Sequence, residues 1–334
     1  MKVAYAFLPF PANFKQACNA TLPATPPWTF GATGNPFMTT SSPYQPTVKV
    51  NGTLYTIVRM LGEGLHSRVY AAIDSRTSVP VAIKVVSNID PVDNGEHSQM
   101  FFKEIRYLTK LQPRNPYVIR VFNHDFDLRT QTGKIVMETG QDFRFMLPLH
   151  SSPEEVRIEY KFFKRMTDSQ AKYYWYQMVD AVKHLHQNGI IHSDIKPENF
   201  IMVDQGQLRI IDLGLSFRLP QTQTSALRPF AGTPEYMPPE VCRIQKGQYS
   251  RYGKPADIWA LGILLFEMVF GYRPFEHIQD NFEKMTHIAN MAQNIHIPPT
   301  NNPHLADILQ RCLQMNPLRR PTAEQILQHQ FLNS

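Results

Sequence analysis

The 334-residue chain has few cysteines and no long uninterrupted apolar run. Its three cysteines, Cys18, Cys242 and Cys312, are odd in number and show no C-x-x-C spacing, which favours free thiols in a reducing, intracellular compartment over a disulfide framework. The longest apolar stretch, residues 258–272, is interrupted by Glu267 and is too short to span a bilayer. It therefore predicts a buried helix, and we expect no membrane association.

The chain also lacks a long Lys/Arg block, although its net charge is +6 and its pI about 9.1. We therefore expect a mildly basic surface and no nucleic-acid partner. Residues 1–47 are rich in Pro, Thr, Ser and Asn and have no sustained hydrophobic period, which predicts a flexible extension. Their first residues, MKVAYAFLPFPA, lack a clean cleavage pattern, so we do not interpret them as a signal peptide.

From about Val48 the hydrophobic pattern becomes regular. Strands are predicted over residues 55–61 and the VAIKVV run at 81–86, a helix over 98–111, and further strands at YVIRVF and KIVME. After Gly140 the pattern is mostly helical, as in AKYYWYQMVDAVKHLHQNG. The sequence thus predicts an α+β fold with a small strand-rich lobe, residues 48–138, a helix-rich lobe, residues 139–334, and a ligand cleft.

Two glycines and a buried lysine suggest phosphate binding. Gly62 and Gly64 lie in a turn between strands, where backbone can approach a phosphate closely, although such a turn often has no ligand. Lys84 ends the V-A-I-K run, and a lysine inside an apolar strand requires an anionic partner. Glu104 on the following predicted helix faces inward and can supply that partner, while the lysine holds the phosphates of a nucleotide. Taken separately, the lysine and the glutamate would be interpreted as surface residues.

The segment IIHSDIKPENF carries the predicted chemistry. Asp194 is placed to orient the proton of an attacking hydroxyl, and Lys196 to balance charge on a transferring phosphoryl group. Asn199 and Asp212, the latter after the apolar strand of RIIDLG, are oxygen donors suited to Mg²⁺. An acidic residue at a strand end is common by itself, so the prediction depends on the order of the whole set.

These motifs resemble a eukaryotic protein kinase domain between about Tyr55 and Leu332. The similarity includes the H-x-D-x-K-x-x-N pattern of residues 192–199, the D-x-G of 212–214, AGTPEYMPPE at the close of the activation segment, and D-I-W-A-L-G at 257–262. It implies ATP and Mg²⁺ as cofactors and a bilobal kinase-like fold with one main helix in an antiparallel-sheet N-lobe. The resemblance also implies that nucleotide-binding positions include Leu61, Gly62, Gly64, Val69, Ala82, Lys84, Glu104, the gatekeeper Met137, Glu138 and Gly140.

Two further pairings follow from the family resemblance. Glu240 is expected to pair with Arg320, and Asp257 to brace the backbone around His192. Both would be structural roles.

Within the kinases, HSDIKPENFIMVD, METG and EYMPPE look most like the monopolar-spindle family of dual-specificity spindle-checkpoint kinases. That similarity implies transfer of phosphate to Ser/Thr and also Tyr, protein substrates that include the chain itself, kinetochore scaffold partners and a nuclear or cytoplasmic location. The long N-terminal targeting region of that family is not present in this sequence, so the checkpoint role is less directly indicated than the reaction.

Ser193 occupies the position where many kinases carry an arginine that meets a phosphate on the activation segment. Its presence argues against that switch while every group needed for transfer remains. Candidate phosphorylation sites are Thr222, Thr224, Ser225 and Thr233. Arg218 and Arg228 are candidate cationic partners for such a phosphate, and the sequence does not decide between that role and ordinary solvated arginines.

Two other classes of protein share parts of this pattern. A pseudokinase scaffold would keep the fold and bind nucleotide or partner proteins, but it would normally have lost Lys84, Asp194, Asn199 or Asp212. A small-molecule kinase would leave the GTPEYMPPE segment unexplained. The sequence therefore favours an active protein kinase.

Overall fold

The structure is a computed structural model that describes residues 46–64, 67–87, 96–113, 115–147, 166–244 and 249–333. Of the predicted flexible extension at residues 1–47, residues 1–45 lie outside these ranges. The described residues form two compact units. The first comprises the described residues up to 87 with Val121–Gln141 and Val203–Gln207, and the second comprises the remainder. None of the described helices combines the length and apolarity needed to cross a membrane.

An antiparallel six-stranded sheet, in the order β1-β2-β3-β4-β6-β5, dominates the first unit. Its strands are β1 (Thr47–Val50), β2 (Thr53–Glu63), β3 (Ser67–Asp74), β4 (Pro80–Val86), β5 (Val121–Asp127) and β6 (Thr132–Met137). One face packs into an apolar cluster formed by Val50, Tyr55, Ala72, Val81, Ile83 and Val136. The Asn123 side chain ties the two edge strands together, because its Nδ2 donates to the carbonyl of Val50 at 3.0 Å.

The second unit is mainly helical. Its helices are α1 (Glu96–Leu111), α2 (Asp168–Gln187), α3 (Pro239–Cys242), α4 (Lys254–Phe270), α5 (Asn281–Asn290), α6 (Pro303–Cys312), α7 (Ala323–Leu327) and α8 (Gln330–Asn333). The later short strands are β7 (Gln141–Asp142), β8 (Ile190–Ile191), β9 (Phe200–Val203), β10 (Gln207–Ile210), β11 (Phe217–Arg218), β12 (Ser225–Pro229) and β13 (Tyr249–Gly253). The predicted α+β class is therefore confirmed.

The ends of the two long helices follow from local sequence. Thr167 caps α2, since its hydroxyl accepts the Gln170 N–H while the Gln170 side chain accepts the Thr167 N–H. Gly271 ends α4 in the left-handed conformation, with φ of 81°. Helix α4 is buried along almost its whole length, as predicted for the apolar stretch at 258–272.

The sequence-based predictions differ from the structure at one place. The YVIRVF run does not form one strand, because Tyr117 and Ile119 bond to the backbone of Ile210 and only the part from Val121 joins the six-stranded sheet. Helix α1 precedes the predicted lobe boundary at residue 138 and is grouped with the second compact unit. The boundary itself stays a prediction. Cys242 and Cys312 are buried free thiols, as expected, and Cys18 lies outside the described residues.

Candidate active site

Asp194 lies at the centre of a polar cluster in the loop that follows β8. Its Oδ2 is 2.6 Å from Lys196 Nζ, and its Oδ1 accepts the Thr233 hydroxyl at 2.8 Å. The Lys196 ammonium also donates to Thr233 Oγ1 at 2.7 Å, which closes a three-membered ring. The side chain of Asp194 is 11% exposed and that of Lys196 20% exposed, so both are reached by solvent from one side. The cluster thus presents a carboxylate, a cation and a hydroxyl at hydrogen-bond distance.

The backbone around Asp194 is held by a buried aspartate. Asp257 on α4 accepts N–H groups from His192 and Ser193, each at 2.9 Å, and its Oδ2 also lies 2.8 Å from His186 Nε2. These bonds confirm the predicted bracing role. Ser193 has a φ of 72°, a left-handed conformation that costs a residue with a side chain about 1–2 kcal/mol. The Asp257 bonds offset that strain and fix the direction of the loop.

Burial shifts the pKa of both His192 and Asp257. Burial lowers the pKa of His192, a shift that the neighbouring carboxylates oppose but do not cancel, so the ring is neutral at physiological pH. For Asp257, burial alone would raise the pKa, but the bond from His186 and the N–H donor of His192 outweigh it and lower the pKa. The loop is thus anchored by an ionised carboxylate in the interior.

Asn199 and Asp212 supply oxygen ligands suited to Mg²⁺. Asn199 Nδ2 donates to the Asp194 carbonyl at 2.8 Å, which turns its amide oxygen into the available ligand atom. Asp212 Oδ1 accepts the Gly214 N–H at 2.7 Å, which orients the carboxylate. Among the described residues, no group of three or more His, Cys, Asp or Glu side chains could hold a metal by itself. Mg²⁺ is usually held by one or two protein oxygens together with substrate phosphates.

The predicted nucleotide-binding residues of the first unit occupy regular positions in its sheet. Val69 on β3 faces Lys84 on β4, and Ala82 faces Met137 on β6. Lys84 is only 7% exposed, which agrees with a lysine that serves a specific anion. The other members are Leu61 and Gly62 at the end of β2, Gly64, which donates to the Ser67 carbonyl, and the buried Glu138 and Gly140 after β6. Glu104 on α1 is buried in the second unit.

One part of the activation segment, residues 212–240, forms a two-stranded β-ribbon with β13. Strand β12 pairs antiparallel with β13, from Ser225 opposite Gly253 to Pro229 opposite Tyr249. A Cβ at Gly253 would lie 2.5 Å from the Thr224 carbonyl, so the strands approach more closely than a side chain permits. At this end of the ribbon Arg251 donates to Ser225 Oγ at 3.2 Å. The sequence did not single out Arg251 as a partner of this segment. Arg228, which it did single out, lies over the Phe217 ring, with its guanidinium carbon 5.2 Å from the ring centroid.

A buried ion pair anchors the end of the activation segment. Arg320 donates to both oxygens of Glu240, at 2.7 and 2.8 Å, and its side chain is fully buried. The guanidinium also donates to the Pro255 carbonyl and stacks on the Trp259 ring. The pairing predicted for these two residues is confirmed.

Comparisons with known proteins agree with this geometry. Residues 55–332 match the family model of the protein kinase domain. The dual specificity protein kinase TTK of Mus musculus is 32% identical over 299 residues, 87% of this chain and 33% of the relative. The dual specificity protein kinase Ttk of Danio rerio is 30% identical over 331 residues, 96% of this chain and 32% of the relative. An Aurora kinase of Yarrowia lipolytica is 30% identical over 278 residues, 83% of this chain and 68% of the relative.

The extent of these matches limits what they cover. The chain spans about a third of the length of the two dual-specificity relatives. The similarity therefore concerns the region that contains the cluster around Asp194.

Proposed function

The chain belongs to the protein kinase family, and from this premise we propose that it transfers the γ-phosphoryl group of ATP to hydroxyl groups of protein substrates. The observation that carries the proposal is the ring formed by Asp194, Lys196 and Thr233. In that ring Asp194 Oδ1 accepts a hydrogen bond from the Thr233 hydroxyl at 2.8 Å, and the Lys196 ammonium lies beside the same carboxylate. A hydroxyl of a peptide substrate would require the same two contacts.

The proposed reaction assigns a separate task to each group. Asp194 orients the attacking hydroxyl and receives its proton as the new P–O bond forms and the bond to ADP breaks. Lys196 balances the negative charge of the transferring group, an electrostatic contribution that is usually the largest in such sites. Asn199 and Asp212 would hold Mg²⁺, which supplies charge neutralisation at the phosphates when bound. His192, neutral and bonded through Nδ1 to the Asp194 N–H, takes no proton in this scheme.

Nucleotide binding is proposed for the sheet residues of the first unit. Lys84 would hold the α- and β-phosphates, with Glu104 as its partner. Leu61, Val69, Ala82 and Met137 would surround the adenine, and the backbone at Glu138 and Gly140 would bond to it. The burial of the apolar members and of Lys84 supports this assignment.

The resemblance to the monopolar-spindle family supports a finer proposal. We infer phosphorylation of Ser and Thr, and also of Tyr, autophosphorylation, and a part in spindle-checkpoint signalling with kinetochore scaffold proteins as partners. A nuclear and cytoplasmic location follows from the same inference. The similarity to the two dual specificity protein kinases supports phosphorylation of Tyr as well as Ser and Thr, and the resemblance of the motifs supports the remaining points.

The first test is transfer of labelled γ-phosphate from Mg-ATP to the chain itself and to peptide libraries that carry Ser, Thr or Tyr as the only acceptor. We expect labelling by the wild-type chain, and a loss of about 10²- to 10⁴-fold in Asp194→Ala, since Asp194 removes the proton. Asp204→Ala, which changes an exposed aspartate, is the matched control.

The same assay separates the alternatives. Intact ATP binding without labelling of any acceptor would assign the chain to the pseudokinase scaffolds. Labelling of Ser and Thr but not of Tyr would remove the dual-specificity proposal and leave the kinase reaction in place.

A further inference from the structure

Tyr252 makes an unusual pair of bonds to one residue of the activation segment. It belongs to β13, pairs with Ala226 of β12, and is only 3% exposed. Its hydroxyl accepts the Ala231 N–H at 3.0 Å and donates to the Ala231 carbonyl at 2.7 Å. One phenol group thus satisfies both backbone groups of a residue that follows the ribbon, where strand pairing has ended.

Ala231 lies two residues before Thr233, which forms the ring with Asp194 and Lys196. Gly232 has a φ of 123°, and a Cβ there would lie 3.2 Å from the Ser193 carbonyl and 3.5 Å from Asp194 Oδ1. The next residue, Thr233, bonds to Asp194 and Lys196. The backbone therefore contacts the catalytic loop at Gly232, one residue after the residue that Tyr252 holds, and Thr233 bonds to that loop one residue later.

The contacts that hold this part of the activation segment come from β13 and from the catalytic loop. Ser193 replaces the usual arginine, and its Oγ is a buried atom with no hydrogen-bond partner among the described residues. The Arg228 guanidinium lies over the Phe217 ring. Residues 229–233 are held by the pairing of β12 with β13, by the two Tyr252 bonds to Ala231, and by the bonds of Thr233 to Asp194 and Lys196.

We propose that the Tyr252 hydroxyl is a positioning group for the peptide substrate, because it holds Ala231 so that Thr233 stays bonded to Asp194 and Lys196. This inference rests on the proposed kinase function. Tyr252 touches neither substrate nor nucleotide in this scheme and acts through the backbone. Its removal should therefore weaken peptide binding more than ATP binding or the fold.

Tyr252→Phe tests the proposal with the smallest change. The ring still fills its buried site, but the Ala231 N–H and carbonyl lose their shared partner. We expect the KM for a peptide substrate to rise about tenfold, with the KM for ATP changed less than about twofold. Tyr249→Phe is the matched control, because it makes the same change on the same strand at a side chain that is 40% exposed. That variant should match the wild-type chain.

Amide exchange provides a second readout, which reports the bond between the Ala231 N–H and Tyr252 directly, whereas the ratio of the two KM values separates a positioning role from a purely structural one. In the wild-type chain the Ala231 N–H should be protected, and Tyr252→Phe should accelerate its exchange about tenfold while amides of α4 stay unchanged. The wild-type measurement needs no variant, so it remains decisive even if Tyr252→Phe does not fold. Free exchange of Ala231 in the wild-type chain would overturn the proposal.

Three other results would count against the positioning role or against the kinase function. An unchanged peptide KM in Tyr252→Phe, with an active wild-type chain, overturns the positioning role and leaves the kinase function intact. A parallel loss of activity and of folded protein, with an unchanged ratio of the two KM values, also overturns it. Failure of the wild-type chain to transfer phosphate counts against the proposed function instead.

Discussion

The sheet of the first unit and the catalytic loop of the second unit hold their functional side chains by opposite means. On the sheet, Lys84 is placed by strand register, between Val69 and Ile135, in a strand whose neighbours are apolar and buried. In the loop, Asp194 is placed by a network of hydrogen bonds that converges on the single buried carboxylate of Asp257. Apolar packing spreads a contribution over many contacts, whereas a polar network concentrates it in a few atoms.

That difference predicts different consequences of damage. Loss of one methyl group from the sheet should cost stability and leave the geometry of transfer intact. Loss of one acceptor from the loop should cost stability and transfer together. The following measurements test that contrast, beginning with the largest expected effect.

Asp257→Ala should have the largest effect. It leaves the His192 and Ser193 N–H groups and the His186 ring without their acceptor, and loss of one member of a buried charged network typically lowers the free energy of unfolding by about 3–5 kcal/mol. Because Asp194 is displaced, phosphoryl transfer should also fall by about 100-fold or more. Urea unfolding and labelled-phosphate transfer measure the two effects.

The matched control is Asp307→Ala, at a 44% exposed aspartate that pairs with Arg311 and His329. An exposed pair contributes less than about 1 kcal/mol. Equal effects of the two substitutions would contradict the view that the loop depends on one buried acceptor.

Ile83→Ala should have the second largest effect. Ile83 is fully buried in the apolar cluster of the sheet, next to Lys84 but on the opposite face of the strand, and truncation of such a side chain costs about 2–5 kcal/mol. In folded protein the peptide KM should remain at the wild-type value, which is the contrast with Asp257→Ala. Val58→Ala, on the same sheet and 57% exposed, should stay within about 0.5 kcal/mol of wild type. A raised peptide KM in Ile83→Ala would show that the two regions are not independent in this respect.

The smallest expected effect concerns pH. Burial raises the pKa of Cys242 and of Cys312 to about 12, well above the usual value for a thiol. The folded chain therefore binds these protons more tightly than the unfolded chain, so the free energy of unfolding should fall as pH rises above about 8.5, by up to about 1.4 kcal/mol per pH unit for each thiol. Between about pH 8.5 and 9.5 we expect a total loss of about 1–2 kcal/mol.

The double variant Cys242→Ala/Cys312→Ala sharpens this test. Both cysteines lie in the second unit, and the described residues of the first unit contain none. The variant should lose much of the slope between these pH values whatever its stability at pH 7. An unchanged slope would assign the titration to other groups.

Much of the sheet could be predicted from the sequence because its signal is local. The β-branched VAIKVV run predicted a buried strand at 81–86, and β4 extends over Pro80–Val86. Likewise the apolar spacing of Phe101, Ile105, Leu108 and Leu111 predicted a helix face in α1, of which all but the partly buried Ile105 are buried. The prediction of one strand at YVIRVF was only partly right, because the first half of the run pairs with Ile210, about 90 residues later in the chain. A local hydrophobic pattern cannot identify such a distant partner.

In the candidate site, too, local features could be predicted and long-range contacts could not. The residue types at Asp194, Lys196, Asn199 and Asp212 follow from motif order, but their mutual distances do not. The roles of Tyr252 and Arg251 could not be predicted, since tyrosine and arginine are ordinary surface residues in a segment without hydrophobic period. Their partners, Ala231 and Ser225, are identified only by the antiparallel register of β12 and β13. Gly253 was the one available signal, a glycine where two strands come too close for a side chain.

The Glu240–Arg320 pair has a consequence for synthesis of the chain on the ribosome. The two residues are 80 positions apart. Asp194, Lys196 and Thr233 all precede Glu240 in the chain, and therefore also precede Arg320. Because a nascent chain emerges from its N-terminal side, the catalytic groups leave the exit tunnel while the anchor of the activation segment is still missing. An incompletely translated chain would therefore carry all of its catalytic groups with Glu240 unpaired. The late arrival of Arg320 delays assembly of that anchor until nearly all of the kinase domain has been translated.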